Sequence, residues 1–299
     1  MSIPDPLAHR PIPDSLVGSH FVKVTGPAGD WIVFHDASTP ALTKEQIVAL
    51  CDRRSGVGAT GIVVISPADE KTEHIAASNR LTAWHADGSE VRDMTEPARA
   101  ATSLFAATGV IDHNDTSHHT FHTDTSLVTT VYTPAYIGVD LGQWSYQHPE
   151  TATTAGSDAL VMTAGLPDPR PGLSIRIQHD HIIIAVETRE ELEGIDLSQE
   201  PSIEPVPDEQ TTVGFVVPQD PLIVTGMGQL MMRSSAKIGD HTLASATAAA
   251  SIAFQQWSGL EQLKVWKVHT PSGDIVVQLH DHNRISTFAS VPPVFFGRL

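Results

Sequence analysis

The sequence predicts a mixed α+β fold. From Phe21 onward the chain consists mostly of short runs rich in β-branched residues, and turns of Gly, Pro and Asp separate these runs, as is typical of sheet. Only a few segments combine helix capping signals with apolar residues at helical spacing. Few helices among many strands indicate the α+β class.

The first two predicted helices are recognised by how they begin. One covers residues 43 to about 54, where Thr43 and Gln46 have the spacing of a capping box. The second begins near Thr95, because Pro97 follows at a position that the first helical turn accepts. Each has an apolar face, formed by Ile47, Leu50 and Cys51 in the first helix and by Ala101, Leu104 and Phe105 in the second.

The third predicted helix covers residues 242–257 and ends at Gly259. Strands are predicted over residues 61–66, 75–85, 127–132, 173–177, 181–186, 213–217, 265–269, 274–279 and 284–291. The turn at residues 270–273 joins two of these strands into a hairpin. Two polar, turn-rich segments are predicted to be linkers, at residues 147–158 and 200–212.

Charge and composition narrow the function classes. The chain of 299 residues has 18 Lys and Arg against 35 Asp and Glu, a formal net charge of −17, which argues against nucleic acid as a partner. No apolar run reaches the ~18 residues that span a bilayer, so no membrane partner is expected. The first residues lack the basic and then apolar layout of a secretory signal, and a cytoplasmic location is predicted. One cysteine, Cys51, excludes an internal disulfide.

An internal sequence similarity suggests that the chain consists of two related halves. Residues 92–105 and 242–255 each place a helix of small residues after a polar turn, about half a chain apart. Two such helix starts that faced a common cleft would favour an anion there, through free backbone N–H groups. The alternative is that alanine-rich helices simply resemble one another.

Five ordered motifs carry a resemblance that covers nearly the whole chain. They are Phe21–Gly26 with Asp30 and Trp31, residues 52–58, Ala86–Val91 (Ala-Asp-Gly-Ser-Glu-Val), Thr242–Ala244 and the Pro271–Gly273 turn. In order and spacing they resemble the diaminopimelate epimerase family. The resemblance implies a diaminopimelate epimerase-like α+β fold with two pseudo-symmetric lobes, each a sheet wrapped around a central helix. It also implies proton transfer without a cofactor, in a site between the lobes.

The lobes are expected at residues 1–135 and 136–285, with residues 286–299 returning to the first lobe. The family uses two cysteine thiols on opposite faces of an amino-acid α-carbon. Their positions fall on Met94 and Ser245 in this sequence. A thioether cannot exchange a proton and an unactivated hydroxyl is a poor base, so the mechanism with two thiols is not open to this chain. Cys51 lies outside both motifs, and we expect it to be a buried structural residue.

Three other residues are predicted to handle the proton. Glu96 and His85 lie near the start of the second helix, and His241 lies near the start of the third. For Glu96 the alternative role is a helix-start carboxylate, and for the two histidines it is a solvated side chain. The resemblance places further residues in the substrate-binding lining, namely Asp93, Met94, Thr95, His179, His181, Arg233, Asp240, Ala244 and Ser245. The family's substrate-gripping arginine falls on Lys237, and either Lys237 itself or the nearby Arg233 could take its role.

A carboxylate or imidazole base suits a more acidic carbon acid than an amino-acid α-proton, which favours double-bond migration over racemisation. The sequence is therefore interpreted as an isomerase that acts on a small unsaturated amino or keto acid in specialised metabolism. Resemblance to cysteine-free relatives makes a 4-alkylproline-type antibiotic precursor one candidate substrate. The alternatives are a binding protein that has lost catalysis, and C–C bond cleavage in the same cleft. The sequence leaves open whether the protein forms a homodimer.

Sixteen histidines raise the question of a metal site. Three pairs have strand-compatible spacing, at His118 and His122, His179 and His181, and His280 and His282. No run has the helical His-Glu-x-x-His pattern, so solvated strand histidines are the preferred interpretation and no bound metal is predicted. Phosphate-binding glycine loops are absent from the sequence as well, which argues against a nucleotide cofactor.

Overall fold

A computed structural model describes residues 16–35, 42–68, 79–112, 114–124, 126–207, 211–235 and 242–299. These residues form two compact units. The first unit contains the described residues up to Ile137 together with Val291–Leu299, and the second unit is Gly138–Ser290. The divisions lie at 137/138 and 290/291, against the predicted 135/136 and 285/286. Strands dominate over helices in both units, which confirms the predicted α+β class.

The described elements are numbered in chain order. The part before the second unit contains β1 (His20–Gly26), β2 (Gly29–His35), α1 (Lys44–Cys51), β3 (Gly61–Pro67), β4 (Asn79–His85), α2 (Thr95–Ala107), β5 (Ser117–His122) and β6 (Leu127–Tyr132). The remaining elements are β7 (Ile137–Gln143), β8 (Ser145–Tyr146), α3 (Pro149–Ala155), β9 (Ala159–Met162), β10 (Arg170–Ile177), β11 (His179–Ala185), α4 (Arg189–Gly194), β12 (Ser202–Glu204), β13 (Thr211–Val224), β14 (Met227–Ser234), α5 (Leu243–Ser258), β15 (Val265–Thr270), β16 (Gly273–Leu279), β17 (Arg284–Ala289) and β18 (Pro293–Arg298).

The first unit is a sheet around helix α2. Strand β1 lies between β18 and β2 and is antiparallel to both. The order continues through β3, β4, β5 and β6, with parallel pairing of β2 with β3 and of β4 with β5, and antiparallel pairing elsewhere. Helix α2 packs against β1 to β4, β6 and β18, and its residues from Thr95 to Ala106 are all buried. It is therefore the central helix of this unit.

The second unit repeats this topology around helix α5. Strands β10 and β11 form an antiparallel hairpin, β11 is parallel to β13, and β13 is antiparallel to β14. Strand β14 is then parallel to β15, which forms a hairpin with β16. The sequence of hairpin, short helix, hairpin, long helix and hairpin is thus the same in both units, with parallel pairings at the same two steps. This repetition explains the internal sequence similarity between residues 92–105 and 242–255.

Alternation along the strands gives each sheet two buried faces. Phe34 of β2 and Ile62 of β3 belong to a cluster with Ile47 and Leu50 of α1. On the opposite face of β2, the ring of His35 contacts Phe105 of α2 at 5.2 Å between centroids. A short helix covers one face of this sheet and the long central helix covers the other. Strands that are buried on both faces have nearly continuous apolar sequences.

Helix α1 has the predicted capping box, with the N–H of Gln46 donating to Thr43 Oγ1 and the N–H of Thr43 donating to Gln46 Oε1.

The sequence did not predict the two shorter helices, α3 and α4. The predicted linker at 147–158 contains helix α3 instead, and the linker at 200–212 contains β12. Helix α4 was not predicted. Each missed helix has at most seven residues, too few to show an apolar periodicity.

The single cysteine has the predicted structural character. Cys51 is buried at the end of α1 within the apolar cluster of the first unit. Burial raises the pKa of its thiol to about 12, and the nearby Asp30 carboxylate acts in the same direction. At neutral pH the thiol is therefore protonated and is a poor nucleophile.

Candidate active site

The start of helix α2 is closed by a carboxylate of the chain itself. Asp93 Oδ1 accepts the backbone N–H of Thr95 at 2.9 Å, while the N-cap residue, Met94, makes no side-chain cap. Pro97 in the first turn has no N–H to offer. A carboxylate of the chain thus already interacts with the start of α2, and the expectation that the helix starts attract a ligand anion stays a prediction.

Glu96 forms a buried ion pair with Arg99, three residues further along α2. The two side chains are 2% and 0% exposed. Arg99 Nη1 donates to Glu96 Oε1, and Arg99 Nε donates to the backbone carbonyl of Ile137 at 3.2 Å. The carboxylate of Glu96 thus pairs with a side chain of its own helix, while its position in the first turn leaves the alternative role of a helix-start carboxylate open.

Burial raises the pKa of Glu96 above its ordinary value. The positive charge of Arg99 and its hydrogen bond oppose this shift, and the negative charge of Asp93 adds to it. A carboxyl group whose pKa lies above its ordinary value is a stronger base when ionised, which is the direction of shift that a general base needs.

A cavity of about 540 Å³ opens beside the start of α2 in the first unit. Its lining combines three groups of residues, which are Ser89, Glu90 and Val91 of the Ala-Asp-Gly-Ser-Glu-Val motif, Arg92 and Met94 before α2, and Thr123 and Asp124 between β5 and β6. The motif and the residue aligned with the family's first cysteine thus line one cavity. Glu96 is not part of the lining and lies two residues beyond Met94.

His85 lies at the end of β4, directly before the motif. Its backbone N–H donates to Ser89 O at 2.8 Å, and its backbone carbonyl accepts the N–H of Gly88 at 2.9 Å. These bonds form the turn that carries Ser89 and Glu90 to the cavity. The half-buried imidazole lies close enough to Asp87 for its charge to help lower the pKa of that carboxyl group, after the larger effect of hydrogen bonds from Ser89. Its proton-handling role stays a prediction.

The start of helix α5 has no charged side chain in its described first turn. Ser245 is 1% exposed, and its hydroxyl donates to the carbonyl of Thr242 at 3.0 Å. Ala244 is fully buried. The hydroxyl of Ser245 is therefore tied into the helix, consistent with a poor base. Asp240 and His241, like Lys237 and His113, lie outside the described residues.

Three other predicted binding residues have structural surroundings in the second unit. Arg233 Nη1 donates to the carbonyls of Leu192, Glu193 and Ile195 at 2.8 to 2.9 Å, so it closes the C-terminus of α4. His181 is fully buried on β11, and His179 is partly buried at the start of that strand. Their binding roles stay predictions.

Two residues at the site were missed from the sequence. Arg99 could have been found, because its spacing of three from Glu96 on a predicted helix places both side chains on one face. Arg92 gave no comparable signal, since it depends on the turn at Thr123 and Asp124 to complete a cavity around it. Within the described ranges, no group of three or more His, Cys, Asp or Glu side chains is placed to hold a metal ion. None of the helices in that part of the chain is long and apolar enough to cross a membrane.

No protein-family model matches the chain. It is similar to diaminopimelate epimerase 1 of Nostoc sp., with 29% identity over 140 residues, 46% of this chain and 48% of that protein. It is also similar to the diaminopimelate epimerase of Desulfitobacterium hafniense, with 25% identity over 289 residues, 93% of this chain and 97% of that protein. The chain spans about half the length of the first curated relatives it matches.

Solved structures resemble nearly the whole chain. A phenazine biosynthesis protein of the PhzF family from Bacillus anthracis matches with a TM-score of 0.63 and 10% identity, over 94% of this chain and 98% of that one. A hydroxyproline epimerase from Agrobacterium vitis, with bound trans-4-hydroxy-L-proline, has a TM-score of 0.59 and 11% identity over 94% and 90%. A methylitaconate-delta-isomerase has a TM-score of 0.55 and 11% identity over 96% of each chain. At these identities the likeness shows the fold, and it confirms the predicted fold class.

Proposed function

We propose that this divergent member of the diaminopimelate epimerase-like fold is a cofactor-independent isomerase that moves a proton, and with it a double bond, on a small unsaturated amino or keto acid. The epimerases and the methylitaconate-delta-isomerase among its similar proteins support an isomerase in general. The substrate class rests on the chemistry of this chain's own residues.

One observation carries the proposal. The sequence has no thiol at either family position, yet a buried carboxyl group with a raised pKa lies two residues from Met94, at the start of the central helix. A carboxylate base can remove a proton that a neighbouring conjugated carbonyl or imine acidifies, and the same carboxyl group can return it at another carbon. Arg99 holds Glu96 in one orientation and keeps its pKa from rising further.

Deuterium incorporation from heavy water tests the proposal. The protein is incubated in heavy water with a panel of amino acids, diaminopimelate and unsaturated proline-type acids, and the products are analysed by mass spectrometry. We expect incorporation into an unsaturated acid, and a loss of at least ~100-fold in Glu96→Gln, the size typical of a missing general base. The Gln amide oxygen can still accept the hydrogen bond from Arg99, so this variant preserves the contact while removing the titratable group.

Glu191→Gln is the matched control. Glu191 of α4 is 17% exposed and pairs with Arg170 in the second unit, so its replacement removes an arginine–glutamate pair that is not part of the cavity lining. It should exchange deuterium like the unmodified protein. Incorporation at the α-carbon of diaminopimelate would contradict the interpretation of Met94 and Ser245. Undiminished exchange in Glu96→Gln would remove Glu96 from the mechanism.

A second candidate function is binding without catalysis. Two observations favour it. Glu96 is only 2% exposed, and its charge is balanced by Arg99, as in an ion pair that serves structure alone. Under this alternative none of the acids exchanges deuterium, although one of them binds. The exchange experiment and a binding titration on the same panel therefore separate the two functions.

A further inference from the structure

The cavity beside α2 contains side chains of opposite charge that the proposed function has not used. Arg92 and Glu90 both line it, and both are exposed. Within the described part of the chain, neither side chain forms a hydrogen bond or an ion pair. The third charged lining residue, Asp124, is bound by Arg80. The cavity therefore contains a cation and an anion whose charges are free to meet a ligand.

Two of the first backbone positions of α2 cannot bind a ligand carboxylate. The N–H of Thr95 already donates to Asp93 Oδ1, and Pro97 has no N–H. The carboxylates of Asp93 and Glu96 also make this helix start less attractive to an anion. A guanidinium, by contrast, can hold a carboxylate through two parallel hydrogen bonds. The chain has a net charge of −17, so an arginine in a cavity that forms no ion pair within the described residues is a local site for an anion.

We propose that Arg92 binds the carboxylate of the ligand in this cavity and that Glu90 binds its ammonium group, so that the pair selects an amino acid over the corresponding acid without nitrogen. Glu90 and Arg92 are two residues apart and both reach the same cavity, which suits a ligand whose two charges are close together. The inference deepens the proposed function, since it assigns the residues that choose between an amino and a keto acid.

The test measures binding alone, so it does not depend on turnover. The chain has six methionines, and Met94 lines the cavity, so the methyl resonance of ¹³C-labelled Met94 reports its occupancy. A Met94→Leu variant assigns that resonance. The probes are two unsaturated amino acids, 3,4-dehydro-L-proline and L-allylglycine, and their counterparts without nitrogen, cyclopent-2-ene carboxylate and pent-4-enoate. Each is titrated until the shift saturates.

We expect at least one amino acid to saturate the Met94 shift, with its counterpart without nitrogen at least ~10-fold weaker, as for the loss of one charge-assisted pair. Arg92→Met should weaken the amino acid by at least ~10-fold, and Arg92→Lys by less, because a lysine keeps the charge but not the planar fork. Glu90→Gln should remove the preference for the amino acid. Arg54→Met, which changes an exposed arginine outside the lining, should bind like the unmodified protein.

Three results would overturn the inference. They are a Met94 shift with none of the four probes, equal binding of an amino acid and its counterpart in the unmodified protein, and unchanged binding in Arg92→Met. The outcome is separable from that of the proposed function. Binding with the expected charge dependence but no deuterium exchange would sustain the roles of Arg92 and Glu90 and reject the isomerase.

Discussion

The two central helices occupy the same place in the repeated topology but differ in their first turns. Helix α2 carries Glu96 and Arg99 as a fully buried ion pair, whereas the described first turn of α5 contains only apolar residues and Ser245, whose hydroxyl bonds back to the helix. Both helices are otherwise rich in buried alanine. Close packing is therefore what the fold requires at this position, and the buried charges of α2 are additional to that requirement.

Buried charge is costly to keep, and the ion pair of α2 differs in its burial from an exposed ion pair of the second unit. In the second unit, the pair of Arg189 with Glu193 lies on the surface of α4, with side chains 64% and 56% exposed. Exposed pairs of this kind contribute little to stability, while a buried charge that loses its partner is strongly destabilising. The placement in α2 therefore points to a use for Glu96 beyond stability.

Removing the arginine of the buried pair should have the largest effect. Arg99→Met leaves the Glu96 carboxylate buried without its counter-charge, and we expect a loss of about 3–5 kcal/mol in the free energy of unfolding at neutral pH. Urea unfolding measures it. Arg189→Met is the matched control, because it breaks an exposed arginine–glutamate pair on a helix and should be nearly neutral.

The pH dependence of Arg99→Met sharpens this prediction. Because Arg99 lowers the pKa of Glu96, the variant should have an even higher folded-state pKa at that residue. A raised carboxyl pKa favours folding most at low pH and loses this contribution as pH rises through the folded pKa. The loss relative to the unmodified protein should therefore shrink as the pH falls toward the ordinary pKa of 4.5. The double variant Glu96→Gln with Arg99→Met should recover most of the loss, and a double variant as unstable as Arg99→Met would contradict the pairing.

Overpacking should cost the two helices alike, because it tests the property that they share. Ala101 of α2 and Ala249 of α5 are both 0% exposed. Replacing either with leucine should destabilise the protein by about 1–3 kcal/mol, since three extra carbons must be fitted into a filled core. Urea unfolding again provides the measurement. Ala155→Leu, at an exposed position of α3, is the control and should be nearly neutral. A neutral effect at only one buried position would show that one helix packs loosely.

A structural feature could be predicted from the sequence when the residues that produce it are close together in the chain. The start of α1 was predictable because Thr43 and Gln46 are near neighbours, and the position of Met94 before α2 followed from the motif resemblance. The role of Arg233 was not predictable, because it closes a six-residue helix some 40 residues earlier in the chain that itself shows too few turns for a periodic pattern. The cavity around Arg92 likewise needs a turn from another part of the chain.

The smallest expected effect concerns Asp274, which binds a lysine and a histidine on the strands of the second unit. Its Oδ2 lies 2.7 Å from Lys267 Nζ and its Oδ1 lies 2.8 Å from His269 Nδ1, with the carboxylate side chain 42% exposed. Partial burial alone would raise the pKa of Asp274, but hydrogen bonds from Lys267 and His269 outweigh it and hold the pKa below the ordinary value of 3.8. Asp274→Asn should cost no more than about 1 kcal/mol at neutral pH, because solvent screens this pair.

The sign of the pH dependence is opposite to that of Glu96. A carboxyl group with a lowered folded-state pKa contributes stability above its unfolded pKa and loses it as pH falls through the folded value. The difference between the unmodified protein and Asp274→Asn should therefore shrink below about pH 4. It should also shrink in ~1 M salt, whereas the loss in Arg99→Met should persist, because water and ions do not reach a fully buried pair. Equal salt sensitivity of the two variants would contradict the contrast between a buried charge pair in the first unit and an exposed one in the second.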